Sequence, residues 1–98
     1  MASYLVANYK ITNPEGYKAY MAAVGPTIMS HGGKILVAGP GSTPIEGNPH
    51  PVTVILEFPS REALQGWYDS PEYKEIIHLR TDNTEGFVAF ADQLVMPS

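Results

Sequence analysis

The stretch from Pro51 to Tyr73, Pro51-Val-Thr-Val-Ile-Leu-Glu-Phe-Pro-Ser60-Arg-Glu-Ala-Leu-Gln-Gly-Trp-Tyr-Asp-Ser70-Pro-Glu-Tyr73, contains the change of period from which the fold can be read. Pro51 to Phe58 is dense in β-branched residues and alternates as a strand does, with Val52, Val54, Leu56 and Phe58 on one side and Ile55 on the other. Ser60 then opens a helix whose Ala63, Leu64, Trp67 and Tyr68 make an apolar stripe. Ser70-Pro71-Glu72 is a second start, because Ser caps, Pro at the first helical position gives up an N–H that would be orphaned anyway, and an acid in the first turn meets the helix dipole. The restarted helix carries Tyr73, Ile76, Ile77 and Arg80 on one repeating face. One strand is thus followed by one helix broken in two.

The same reading extends outward. Ser3 to Ile11 alternates Leu5, Ala7, Tyr9 and Ile11 against Tyr4, Val6, Asn8 and Lys10, which predicts a first strand. Asn13-Pro14 predicts a helix start capped by the Asn13 side chain, and Tyr17, Tyr20, Met21, Val24 and Ile28 give that helix one apolar face. Gly25-Pro26 is expected to bend or split it, and Gly32-Gly33 to end it, with His31 a favourable charge at its C-terminus. Lys34 to Ala38 reads as a short second strand and Gly86 to Val95 as the last one. Between the second and third strands lies Gly39 to Pro51, in which seven of thirteen residues are Gly or Pro. That excludes a helix and predicts a projecting loop, with a brief extended piece at Ile45-Glu46. The order β-α-β-β-α-β is the ferredoxin-like split arrangement of an α+β protein, a four-stranded antiparallel sheet with helices on one face, here a single domain over residues 1–98.

Both faces of that sheet are rich in apolar residues. Tyr4 and Val6, Ile55, and Phe87, Ala89 and Ala91 stand opposite the faces that the helices cover. A monomer rarely leaves such a patch in water, and a domain this small gains from added burial, so a homodimer with sheet against sheet is expected.

Composition narrows the chemistry. The 98 residues include 44% apolar and 16% charged residues, ten acids against six bases, three His and no Cys. A folded globule is expected, without thiolate chemistry, disulfides or Cys-held metals. The net charge of −4, spread without basic clusters, argues against nucleic acid, and no apolar run reaches the roughly 20 residues of a membrane span. The chain start lacks a secretory pattern, so a soluble cytoplasmic protein is expected. His31, His50 and His78 form no metal-ligand spacing, and neither Ser60 nor Ser70 sits in a Gly-x-Ser-x-Gly turn. No metal or cofactor is expected.

Ser70 at a helix start, with Trp67, Tyr68, Tyr73 and Arg80 around it, is the strongest candidate constellation. Free backbone N–H groups, phenol hydroxyls and a flat indole wall together fit a small planar acid or phenol. The candidate binding residues are Tyr9, Trp67, Ser70, Tyr73 and Arg80, with His78 or Glu46 as the group that moves a proton. The structural alternative uses the same residues: Ser70 caps, Trp67 and Tyr73 fill the core, His78 is an exposed or core-edge residue, and Arg80 pairs with Glu46 or Glu57. The two function classes are therefore a pocket protein, extending to a cofactor-independent enzyme on a small aromatic or lactone-like compound, and a non-catalytic dimeric module.

Gly32-Gly33-Lys34, Glu46-Gly47, Glu57-Phe58-Pro59-Ser60, Trp67-Tyr68, Ser70-Pro71-Glu72-Tyr73 and Arg80 together resemble the domain of unknown function family 1330 (DUF1330), within the dimeric α/β-barrel superfamily, along nearly the whole chain. The resemblance implies a ferredoxin-like protomer that pairs sheet to sheet. It implies no reaction: the superfamily includes cofactor-free monooxygenases, muconolactone isomerase and heme-using chlorite dismutases, and fold alone does not choose among them. Relatives usually carry an Arg after the second strand, where this chain has Ala38-Gly39-Pro40.

Overall fold

The computed structural model describes residues 1–95. In chain order its elements are β1 (Ser3–Ile11), α1 (Pro14–Ser30), β2 (Lys34–Gly39), β3 (Val52–Phe58), α2 (Arg61–Tyr68), α3 (Pro71–Lys74), α4 (Ile77–Thr81) and β4 (Thr84–Asp92). The strands form one antiparallel sheet in the order β2-β3-β1-β4, so the α+β ferredoxin-like reading is correct. The last three residues of the expected domain fall outside the described residues.

Strand parity sorts the side chains as the sequence indicated. Leu5, Ala7 and Tyr9 of β1 and Val52, Leu56 and Phe58 of β3 are buried under the helices, joined there by Tyr17, Tyr20 and Ile28 of α1, Leu64 and Trp67 of α2 and Tyr73 of α3. The opposite face pairs Tyr4 with Glu57 and Ala91, Val6 with Ile55 and Ala89, and Asn8 with Thr53 and Phe87. No helix among the described residues covers that side, and the Cα envelope is only 15 Å thick. A bulge between Ile35 and Val37 shifts the register of β2, and Leu36 and Val37 are about half exposed there.

Several local expectations are corrected. Gly25-Pro26 does not split α1, which runs through Pro26 unbroken to Ser30. Pro26 is exposed, and so is Ala22, whose carbonyl lacks the Pro26 N–H as a donor and can be solvated instead. Asn13 has the extended backbone of a cap, but its side chain makes no capping bond; its N–H and that of Thr12 donate to the Asn83 carbonyl, and its own carbonyl accepts from the Tyr17 N–H. The entry to α1 is held by the end of α4, a contact across about 70 residues that local sequence does not display. The second helical segment is three pieces rather than two. Ile45-Glu46 forms bends and no strand, and the last strand is Thr84–Asp92 rather than Gly86 to Val95.

The Gly/Pro loop is anchored to the open face by Asn8. The Asn8 amide donates to the carbonyls of His50 and Val52 and to Thr53 Oγ1, while its oxygen accepts from the His50 N–H at 2.7 Å. Ser42 and Thr53 hydroxyls bond to each other nearby. The polar groups on this face are thereby satisfied within the chain.

A candidate ligand cavity between the helices and the sheet

Ser60 and Ser70 act as the sequence predicts of caps. Ser60 Oγ accepts from the Ala63 N–H, and Ser70 Oγ accepts from the Tyr73 N–H at 3.2 Å while donating to the Trp67 carbonyl at 2.7 Å. The Ser70 hydroxyl is fully used in turning the chain from α2 into α3. That turn places Trp67 and Tyr73 with ring centroids 4.1 Å apart, both almost completely buried. The Trp67 indole N–H donates to Thr27 Oγ1 on α1 at 3.0 Å, fixing the ring against the first helix.

Between these rings, α1 and the covered face of the sheet lies a cavity of about 220 Å³. Its wall is apolar except at one end, where Tyr9, Tyr17, Tyr20, Tyr73 and Arg80 meet. Met21, Ile35, Ala38 and Pro40 are the exposed members of the lining, which puts its opening between α1 and the end of β2. Ala38, Gly39 and Pro40 border that opening. Arg80 is the one charged residue in the described lining.

The phenols are paired. Tyr9 and Tyr17 hydroxyls are 2.6 Å apart and those of Tyr20 and Tyr73 are 2.9 Å apart. Burial, reinforced by the neighbouring phenol, pushes the pKa of Tyr9 and of Tyr20 well above the ordinary tyrosine range, so both stay protonated hydrogen-bonding groups at neutral pH. Arg80 is 9% exposed and its Nε donates to Tyr73 Oη at 3.3 Å. Burial opposes its charge, but Tyr73, with Tyr20 and Tyr68, outweighs this and raises its pKa, and the guanidinium remains cationic.

The expected pairing of Arg80 with Glu46 or Glu57 is corrected. Neither acid forms an ion pair with it among the described residues. Glu57 lies on the open face of the sheet and accepts from the Tyr4 hydroxyl at 3.1 Å, and Glu46 is exposed in the Gly/Pro loop. His31 caps α1 and also meets Glu72 across the helices at 3.2 Å; that hydrogen bond, chiefly, lowers the Glu72 pKa.

Of the sequence-predicted site residues, the structure brings Tyr9, Trp67, Tyr73 and Arg80 together in one wall. Ser70 supports that wall from behind without lining it. His78 is exposed on α4, and neither it nor Glu46 borders the cavity. Tyr17 and Tyr20 are the site residues that sequence reasoning placed only in the core. Their spacing of three on the buried face of α1, opposite inward-facing Tyr9, was the available signal. Among the described residues no group of three or more His, Asp or Glu could hold a metal ion, and no helix is long and apolar enough to cross a membrane.

A family model described as a domain of unknown function (DUF1330) matches residues 2–94. The chain belongs to this family. No curated protein matches it. Among solved structures, this DUF1330 chain is similar to a protein of unknown function from Rhodopseudomonas palustris, with 20% identity, 97% of this chain and 84% of that one covered, and a TM-score of 0.73. It is also similar to SnoaB, a cofactor-independent oxygenase from Streptomyces nogalater, at 8% identity, 99% and 98% coverage and a TM-score of 0.62. A dimeric protein of unknown function and ferredoxin-like fold from Bacteroides fragilis superposes with a TM-score of 0.53 at 14% identity, over 94% and 95% of the two chains. At these identities the likeness of this DUF1330 protein to its neighbours is one of fold.

Proposed function

We propose that this DUF1330 chain forms a homodimer through the open faces of its sheets and that each protomer binds a small aromatic or lactone-like molecule in the cavity between α1 and the sheet. The observation that carries the reading is the cavity itself: about 220 Å³ of mostly apolar space with a single cluster of polar groups at one end. Apolar walls with a few convergent polar groups are the usual form of a small-molecule site. A protein that used this region only as core would fill it, since interiors pack to crystal-like density.

Catalysis without a cofactor, by isomerisation or oxygenation, is the chemical extension of that reading. A guanidinium and phenolic O–H groups in a water-poor pocket stabilise negative charge that develops on a substrate oxygen. The Streptomyces nogalater neighbour, described as a cofactor-independent oxygenase, supports such chemistry on this fold. The second reading, a non-catalytic binding module, is favoured by the absence of any Asp, Glu or His side chain in the described lining. Glu46 and His78, the groups proposed from sequence to move a proton, stand outside it.

Trp67 is the only tryptophan and forms part of the wall, so its fluorescence reports directly on the cavity. A panel of small aromatic acids, phenols and lactones should include compounds that change Trp67 emission and raise the melting midpoint by several degrees at saturation, as mass action requires of a ligand bound only by the folded state. If no compound does either, and Arg80→Ala merely lowers the midpoint, the binding reading is wrong.

A further inference from the structure

We infer that the molecule bound here is a single-ring compound whose polar group is an anionic oxygen, a carboxylate or a comparably acidic enol; this deepens, and rests on, the binding reading above. The donors of the wall outnumber its acceptors. Arg80 has five N–H donors and no acceptor. Its Nε is bonded to Tyr73, and its Nη groups have no acceptor among the described residues. Among the described residues no sealed side-chain nitrogen or oxygen lacks a partner, so these Nη groups are not shut inside the protein. They belong to a residue that borders two cavities, the apolar one and a second of about 280 Å³ also walled by Tyr9, Tyr68, Thr81 and Thr84.

The phenols add donors of the same kind. Each pair, Tyr9 with Tyr17 and Tyr20 with Tyr73, brings two O–H protons, of which the contact between the hydroxyls takes one. The other proton of each pair has no acceptor among the described residues. Among the described residues no Asp, Glu, His, Asn or Gln side chain borders the apolar cavity. The polar end of the site is therefore cationic and rich in unspent donors. A ligand amine or ammonium would add more donors and, when charged, the wrong sign. A neutral lactone carbonyl would accept hydrogen bonds but leave the guanidinium without a counter-charge. An anionic oxygen supplies acceptors and charge together, and charge-assisted bonds to a guanidinium are the strong ones.

Size and position follow from the same geometry. An apolar cavity of roughly 150 Å³ holds benzene, so about 220 Å³ holds one ring with a short substituent. The two cavities share Tyr9, Arg80 and Val88, which sets the acidic group at their junction and the ring toward Trp67 and α1.

The test uses matched acid and amide pairs: benzoate with benzamide, phenylacetate with phenylacetamide, and 1-naphthoate with 1-naphthamide. Each is titrated by calorimetry at neutral pH into the wild-type protein and into Arg80→Met and Tyr20→Phe. At least one single-ring acid should bind at least about tenfold more tightly than its amide, the effect of one charged hydrogen bond. That preference should fall to within about twofold in Arg80→Met and be reduced in Tyr20→Phe, which keeps the ring and the charge and makes the inference testable even if Arg80→Met fails to fold. Acid and amide binding equally well would overturn the anion inference and leave the binding reading standing. A preference for the naphthyl pair would overturn the size. Binding by none of the six would overturn the anion inference, while a phenol or lactone of the wider panel that still changes Trp67 emission would leave the binding reading standing.

Discussion

A guanidinium taken out of water without a carboxylate beside it carries a desolvation penalty of several kcal/mol unless something else solvates it. Arg80 meets this with one bond to Tyr73 and with Nη groups that are not sealed in protein. Its expected partners were chosen by charge alone, and strand parity already excluded one of them: Val52, Val54, Leu56 and Phe58 point to the helices, so Glu57 points away. Ser70 was read correctly as a cap, and for that reason its hydroxyl is not available to a ligand. Gly33 is fixed by packing at the same scale. A Cβ there would lie 2.6 Å from Ile28 Cγ2 and 2.7 Å from Phe58 Cε1, and Phe58 is completely buried. Gly33→Ala is therefore expected to destabilise the fold by about 1–3 kcal/mol, the usual effect of overpacking. Urea denaturation measures this, and an unchanged midpoint would show that the α1–β2 junction yields to the methyl group.

Element order, strand faces and both serine caps were legible because each rests on local spacing or on a residue's own chemistry. The parts that were not legible are set by contacts distant in sequence. The chain entering α1 is held by the Asn83 carbonyl, which accepts from the Thr12 and Asn13 N–H groups, and not by the capping bond expected of the Asn13 side chain. The end of β4 is another such contact, since Asp92 accepts from Ser3 Oγ at 2.8 Å and from Arg61 Nη1 at 3.0 Å, tying β4 to the start of β1 and to α2. These bonds, Ser3 first and Arg61 next, lower the Asp92 pKa, with burial opposing them slightly. A carboxyl depressed on folding adds stability above its unfolded pKa of about 3.9 and loses it as pH falls through the lower folded value. Asp92→Asn keeps an acceptor and removes the charge, so it should melt slightly below wild type at pH 7. The gap should close in acid below that window and narrow in high salt, because the pair is exposed. Thermal melts across this pH range check it, and a gap that persists undiminished at the acid end would mean that the charge is not the cause.

At the scale of the whole molecule, one layer of helices covers one side of the sheet, and no helix among the described residues covers the other. Its centre is apolar: Val6 beside Ile55 and Ala89, with Phe87 55% exposed and Val37 44% exposed toward the two edges. Its polar residues do not alter this, because Asn8 and Thr53 are spent on anchoring the Gly/Pro loop. A surface of this composition gains more from a second sheet than from water, and the isologous contact of two identical faces is the simplest way to supply one. The proposed homodimer predicts a light-scattering mass of twice the chain at micromolar concentration and a melting midpoint that rises with protein concentration. Phe87→Lys places like charges on both sides of such an interface while leaving the helix-covered core untouched, so it should shift the mass toward one chain and lower the midpoint. A wild-type protein that stays monomeric throughout, with a midpoint independent of concentration, would refute the pairing and leave the open face to some other partner.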